Sequence, residues 1–270
     1  MYCTDFIFDN ELLSDHGMII CSFDNNGDNS WSGGNITFTT QKAPFSDVQT
    51  FYTSSFESPL SCQFSVCKNP CLINDYNTDY LTQEEYADTT RWLKRKDGYH
   101  WLQFNQEGYE DVYYNVKFDV QPREIKGHTV GLDLTATCDS PYGYSREFDQ
   151  KFTLSSSASS FKIVNNSDLA GIIYPLITIT PKSSGNLILN SGIEGDMVQT
   201  QVKNVTSNSK IILDGKNDYY EGISDPNKFN YKFPVLDNAY NDRNTYFKLV
   251  SGSVDCDIIL KYRYIRMVTV

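Results

Sequence analysis

Two consecutive runs between Val112 and Cys138 alternate apolar and polar residues. In the first, Val112, Tyr114, Val116, Phe118 and Val120 fall on one face of an extended strand, with Tyr113, Asn115, Lys117, Asp119 and Gln121 on the other. In the second, Val130, Leu132, Leu134, Ala136 and Cys138 alternate with Thr129, Gly131, Asp133, Thr135 and Thr137. A period of two sustained this long predicts strands with one dry face. The connection over residues 121–128, with Pro122 ending the first run and Gly127 opening the second, predicts an antiparallel pair.

Shorter runs of the same kind flank this pair. Phe6-Ile7-Phe8 and Gly17-Met18-Ile19-Ile20-Cys21-Ser22-Phe23 predict two opening strands. The turn formers Asn25-Asn26-Gly27-Asp28 and Ser32-Gly33-Gly34 predict a loop-rich hairpin after them. Ile36, Phe38 and Thr40, the stretch from Phe51 to Phe56, and Phe64 with Val66 continue the strand pattern, as does Tyr99-His100-Trp101-Leu102-Gln103-Phe104.

One segment breaks it. Residues 82–96 have the spacing of a helix, in which Thr82 and Glu85 form a capping-box signature. Glu84 and Glu85 suit the N-terminus, Lys94, Arg95 and Lys96 suit the C-terminus, and Gly98 stops it. Tyr86, Thr89 or Thr90 and Leu93 form its apolar stripe, with Trp92 alongside.

Pro141-Tyr142-Gly143-Tyr144-Ser145 interrupts the pattern and predicts a boundary, giving domains over residues 1–147 and 148–270. The second holds strands at 152–154, 161–164, 177–180, 187–189, 198–202, 211–213, 246–250 and 256–268, with Asp214-Gly215 as a turn before Tyr219-Tyr220. So many strands at such short repeats predict a β-sandwich of jelly-roll or galectin-like type.

The length of 270 residues fits two domains better than one core, and 19 Tyr with 16 Phe supply a large aromatic interior. Residues 1–147 hold 22 carboxylates against 10 Lys and Arg, a formal −12, whereas the remainder is +1. A surface this acidic cannot release phosphate counterions, which argues against sequence-specific binding of DNA or RNA. Met1-Tyr2-Cys3-Thr4-Asp5 has no basic region leading into an apolar one, and no segment approaches the ~18–20 apolar residues that span a bilayer. Neither export nor membrane insertion is therefore expected. With seven cysteines, an odd number, we expect free thiols.

Candidate chemistry is sparse. Cys62, Cys67 and Cys71 are the one metal-like cluster, but the spacing lacks the two close pairs of a structural zinc site, and buried or incidental thiols account for it better. His16, His100 and His128 stand alone, and no nucleophile elbow, P-loop or dinucleotide fingerprint is present. Glu110-Asp111 and Asp255 with Asp257 are the obvious carboxylate pairs for glycoside hydrolysis, although Asp255 and Asp257 more simply solvate a strand edge. The sequons at Asn35, Asn165 and Asn204 carry no weight without export. No catalytic, cofactor-binding or metal-binding residue is assigned, and no cofactor is expected.

A set of short segments in fixed order adds a resemblance. Phe6-Ile7-Phe8 precedes Asp15-His16-Gly17-Met18-Ile19-Ile20, and Arg91-Trp92-Leu93 ends the helix. Tyr113-Tyr114-Asn115-Val116-Lys117 leads to Gly131-Leu132-Asp133-Leu134-Thr135-Ala136-Thr137-Cys138-Asp139-Ser140-Pro141-Tyr142-Gly143-Tyr144-Ser145. Asn165-Asn166-Ser167-Asp168, Tyr174-Pro175-Leu176-Ile177-Thr178-Ile179 and Ile212-Leu213-Asp214-Gly215 follow. Across nearly its whole length the chain resembles the distal tail proteins of long-tailed bacteriophages.

The resemblance implies a mainly β protein, with an N-terminal β-sandwich-like ring domain bearing one helix and a C-terminal galectin-like β-sandwich that projects outward. It implies a non-enzymatic virion protein, a homohexameric baseplate hub between the tail tube protein and the tail-tip protein. Receptor-binding or other baseplate proteins would be further partners. Such a protein would be assembled in the host cytoplasm and sit at the tail tip, with DNA passing through the ring. The surplus of negative charge would then line the channel in part, with Asp24, Asp28, Glu110 and Asp111 as loop candidates. The alternative readings are a free-standing carbohydrate-binding β-sandwich protein and a glycan-acting enzyme.

Overall fold

The computed structural model describes residues 3–23, 30–42, 45, 47–72 and 79–267, and the chain divides into two compact units between Tyr144 and Ser145. The first unit contains β1 (Phe6–Phe8), β2 (Glu11–Leu12), β3 (Met18–Cys21), β4 (Ser30–Ser32), β5 (Ile36–Lys42), β6 (Gln49–Phe56), β7 (Ser61–Lys68), α1 (Gln83–Leu93), β8 (His100–Phe104), β9 (Tyr114–Ile125), β10 (His128–Cys138) and β11 (Gly143–Tyr144).

The long pair at 112–138 is the centre of an eight-stranded antiparallel sheet, ordered β2-β1-β8-β9-β10-β7-β3, with β4 also on β7. Leu134 faces Val120 on one side and Phe64 on the other, and Ala136 faces Phe118 and Cys62. The inward residues Tyr114, Val116, Phe118 and Val120 are buried while Lys117, Asp119 and Gln121 are exposed. Pro122 does not end the strand, as the sequence suggests. It pairs opposite Leu132, and the strand runs on to Ile125. Partner β8 reaches only residues 114–116 of β9, so at Pro122 the strand is an edge, where proline is tolerated. The reversal takes just two residues, Lys126 (φ 51) and Gly127 (φ 81), the left-handed pair of a type I′ turn.

The sandwich-like expectation for this unit is met by one sheet rolled on itself. Four strand spacings separate β1 from β7, roughly 19 Å in a flat sheet. Yet the Phe6 and Phe64 ring centroids are 5.6 Å apart. Phe104 and Phe118 also pack against Phe6, closing an aromatic core.

Helix α1 caps that core. Thr82 Oγ1 accepts the Glu85 N–H (3.2 Å) and the Thr82 N–H donates to Glu85 Oε2 (2.8 Å), completing the capping box. Lys68 Nζ holds the other oxygen of Glu85 at 2.7 Å. Although burial raises the Glu85 pKa, the Lys68 and Thr82 bonds outweigh it and leave it below the usual range. Thr89, Trp92 and Leu93 face inward. The helix stops at Leu93 instead of continuing to Lys96, and beyond its end Arg95 binds Asp9 at 2.5 Å. Thr82→Ala removes one half of the box and is expected to lower stability by about 1 kcal/mol, read from urea unfolding midpoints.

The second unit contains β12 (Phe148–Leu154), β13 (Ser160–Val164), β14 (Leu176–Pro181), β15 (Gly185–Ile193), β16 (Asp196–Val205), β17 (Ile211–Asp214), β18 (Tyr219–Glu221), β19 (Asn244–Leu249), β20 (Cys256–Tyr262) and β21 (Ile265–Arg266). A five-stranded sheet, β12-β20-β14-β17-β18, and a four-stranded sheet, β13-β19-β15-β16, share one apolar core that includes Ile177, Leu189, Leu213, Phe247 and Leu260. Phe152 stacks on Phe161 at 3.8 Å and Phe161 on Phe247 at 4.8 Å, so a column of rings ties the two sheets together. The unit is a β-sandwich. Among the described residues no helix is long and apolar enough to cross a membrane.

Candidate functional site

The thiols of Cys62, Cys67 and Cys71 do not converge. Cys62 is fully buried on β7, and burial pushes its pKa up to about 12. Cys67, five residues further along the same strand, has the opposite parity, and a hydrogen bond with Cys21 lowers its pKa. Cys71 is exposed in the short turn at Pro70–Leu72. Among the described residues no group of three or more His, Cys, Asp or Glu side chains is placed to hold a metal.

Each histidine has a structural contact. The His16 ring stacks on Trp92 at 4.1 Å, and its Nε2 lies 3.2 Å from Glu11. His100 sits between two carboxylates, with Nδ1 3.2 Å from Asp9 and Nε2 3.1 Å from Asp97. His128 stacks on Tyr80 at 4.6 Å.

The carboxylate pairs are likewise engaged locally. Asp255 accepts the Ser156 N–H at 3.1 Å, while Asp257 accepts from Thr153 Oγ1 at 2.5 Å and pairs with Lys182 at 2.9 Å. Those two partners hold the Asp257 pKa down, so it stays ionised. Glu110 turns back onto the Gly108 N–H at 3.0 Å, and Asp111 is exposed beside it. Asp24 and Asp28 lie outside the described residues. Of the sequons, Asn165 is completely buried, with its amide donating to Leu236 O at 3.3 Å and its Oδ1 accepting the Ser167 N–H at 3.1 Å.

The feature that sequence reasoning missed is a surface. Strands β5 and β6 form a two-stranded sheet of their own, exposed along nearly its whole length. Ile36 pairs with Phe56, Phe38 with Ser54 and Thr40 with Phe51, which puts Ile36, Phe38, Phe51 and Phe56 on one face. Thr37, Thr39 and Gln41 share the other face with Ser55, Thr53 and Thr50. Phe38 is 61% exposed and Phe51 57%, and their rings meet edge to face at 5.9 Å. A two-stranded hairpin is marginal alone in water, and a contiguous apolar face on one marks a contact surface. The alternation that predicts these strands says nothing of whether their dry face has a partner within the chain.

Comparison with known proteins agrees with this fold. A family described as phage tail protein N-terminal domain matches residues 1–140, and one described as phage tail C-terminal domain matches residues 142–262. Among curated proteins no sequence match is found. The crystal structure of the Dit protein (gp 19.1) of phage SPP1, described as a paradigm of the hub adsorption apparatus in phages infecting Gram-positive bacteria, has a similar fold. The TM-score is 0.62 at 14% identity, over 96% of this chain and 98% of that one. Matched in both halves, and over more than half its length by the N-terminal domain alone, the chain belongs to the phage tail protein family.

Proposed function

We propose that this chain is the hub of a phage tail's adsorption apparatus, a ring of six copies that joins the tail tube protein to the tail-tip protein. The whole-length likeness to the SPP1 Dit hub supports this reading, and the apolar hairpin face carries it. That face needs a complement, and a second copy offers one wherever a heterologous interface repeats around a closed ring. Residues 1–147 would supply the ring, and residues 148–270 an attachment surface for receptor-binding or other baseplate proteins. The role is structural and invokes no catalysis. Assembly would occur in the host cytoplasm, before the finished particle carries the hub at its tail tip. In the ring, part of the −12 formal charge of residues 1–147 would face the channel and keep passing DNA from adhering, with exposed Glu110 and Asp111 as candidates.

Light scattering on the purified chain, alone and with its tail neighbours, tests the assembly. Six subunit masses are the expected result, and a particle that stays at one subunit mass under both conditions overturns the ring.

A further inference from the structure

The second unit carries a cleft that the hub reading does not use. Its volume is about 400 Å³, toward the lower end of the ~300–1,000 Å³ usual for small-ligand sites. Tyr174, Gly215, Asp218, Tyr231, Lys232 and Phe233 line it together with the apolar side chains of Ile172, Met197, Val198 and Val235, drawn from four separate stretches of chain.

Local contacts hold each wall in place. A Cβ added to Gly215 would lie 2.4 Å from Tyr174 Cδ1 and 2.7 Å from Phe233 Cβ, so only glycine lets the Tyr174 ring rest against this turn. The turn is held by Asp214, whose carboxylate accepts the N–H groups of Lys216 (3.1 Å) and Asn217 (3.3 Å). On the opposite wall the Asn230 side chain donates to Gln199 O at 2.8 Å and accepts the Gln201 N–H at 3.0 Å, fastening the segment to β16.

Tyr231 follows with φ 56, and Asp218 has φ 49. A bulky residue in the left-handed region is a rare and strained choice that persists where its surroundings enforce it, and such residues gather at ligand sites. Burial does not offset this strain, because Tyr231 remains 55% exposed. Its ring is aligned instead by Phe229 at 5.3 Å and Tyr220 at 5.8 Å.

The chemistry presented is mixed in a particular way. Tyr174, 43% exposed, and Tyr231 offer ring faces whose negative quadrupole attracts the polarised C–H groups on the apolar side of a pyranose. Asp218 accepts hydrogen bonds, Lys232 donates them, and the phenols do both, which matches a ring of hydroxyls. We infer that this cleft binds a saccharide, with a sugar ring stacked on Tyr231 and Tyr174 and its hydroxyls held by Asp218 and Lys232. The source, a glycan of the bacterial surface, rests on the hub reading; the saccharide chemistry rests on the cleft alone.

Saturation-transfer NMR on the full chain tests this with galactose, glucose, rhamnose, N-acetylglucosamine and oligosaccharides released from bacterial cell walls. At least one is expected to bind, and Tyr231→Ala and Lys232→Ala should each weaken it about tenfold, ~1.4 kcal/mol. Thermal unfolding and particle mass should match the unaltered protein. Should Tyr231→Ala misfold, the exposed Asp218→Asn takes its place. Binding of no sugar, or binding that survives these changes at full strength, overturns the inference, as does a cleft that takes only a peptide of another tail protein. Particle mass from the same preparations keeps the two readings apart. A chain that binds sugar without assembling removes the hub, and one that assembles without binding removes only the saccharide site.

Discussion

Phe38→Asp combined with Phe51→Asp is expected to abolish ring assembly while each subunit stays folded. Both rings lie on the apolar face of the β5–β6 hairpin, more than half exposed, so aspartate there costs the isolated subunit little. In the proposed ring the same carboxylates would have to be stripped of water, a cost that the phenyl rings do not carry. An interface anchor is worth about 2 kcal/mol or more. Two lost together weaken association by roughly 4 kcal/mol, about a thousandfold. Light scattering would then report single subunits over the concentrations at which the hub reading has the unaltered chain in rings, with unchanged thermal unfolding. A full-sized ring from the double variant would show that the hairpin faces something other than a neighbouring copy.

Trp92→Ala is expected to be the most damaging single truncation on α1, at about 3–5 kcal/mol. The indole lies between Phe6, parallel at 5.8 Å, and His16, parallel at 4.1 Å, with Phe8 against its edge at 5.9 Å. Its Nε1–H donates to Phe8 O at 3.3 Å, tying the helix to β1. Alanine would open a cavity between the Phe6 ring of β1 and the His16 ring of the turn at Leu13–His16, and remove the indole donor to Phe8 O. Tyr86→Ala, on the half-buried flank of the same helix, makes the comparison. Denaturant unfolding reads both, and a Trp92→Ala loss no larger than that of Tyr86→Ala would mean the layers collapse over the gap.

The class of fold was legible because it rests on short-range patterns. The alternation becomes β9 and β10 with the expected faces over 114–121 and 132–138, a bulge shifting the register at Val130, and Thr82 with Glu85 forms the cap that their spacing announces. The errors lie where a distant partner decides the outcome. Pro122 stays in a strand since β8 ends short of it, and where the helix pattern was read on to Lys96, Arg95 lies past the end of α1 and pairs with Asp9, a residue 86 positions away. Strand β4 was hidden in a stretch read as turn, for its pairing of Trp31 with Cys62 is invisible in a window of local sequence. The phage tail assignment came from the order of many weak segments, which the family matches over both halves support. The cleft of the second unit had no such signal. Its walls run from Ile172 to Val235, in four stretches, and none of them forms a motif.

The rolled sheet also dictates an order of events. Strand β1 sits between β2 and β8, with Phe8 opposite Leu102, so the first strand made is sealed by one synthesised more than ninety residues later. Strand β7 pairs with β10, from Gly131 opposite Cys67 to Thr137 opposite Ser61. Within this sheet β9 and β10, joined by their two-residue turn, are the long pair that closes locally, since the equally local β1–β2 pair matches only two residues on each strand. The natural nucleus is therefore late in the unit, and Phe6, Phe8 and Phe64 must stay unpacked on the ribosome until it emerges. Non-local closure of this kind is slow. Until that closure the aromatic core of a nascent chain lies open, the kind of exposed apolar surface that chaperones shield.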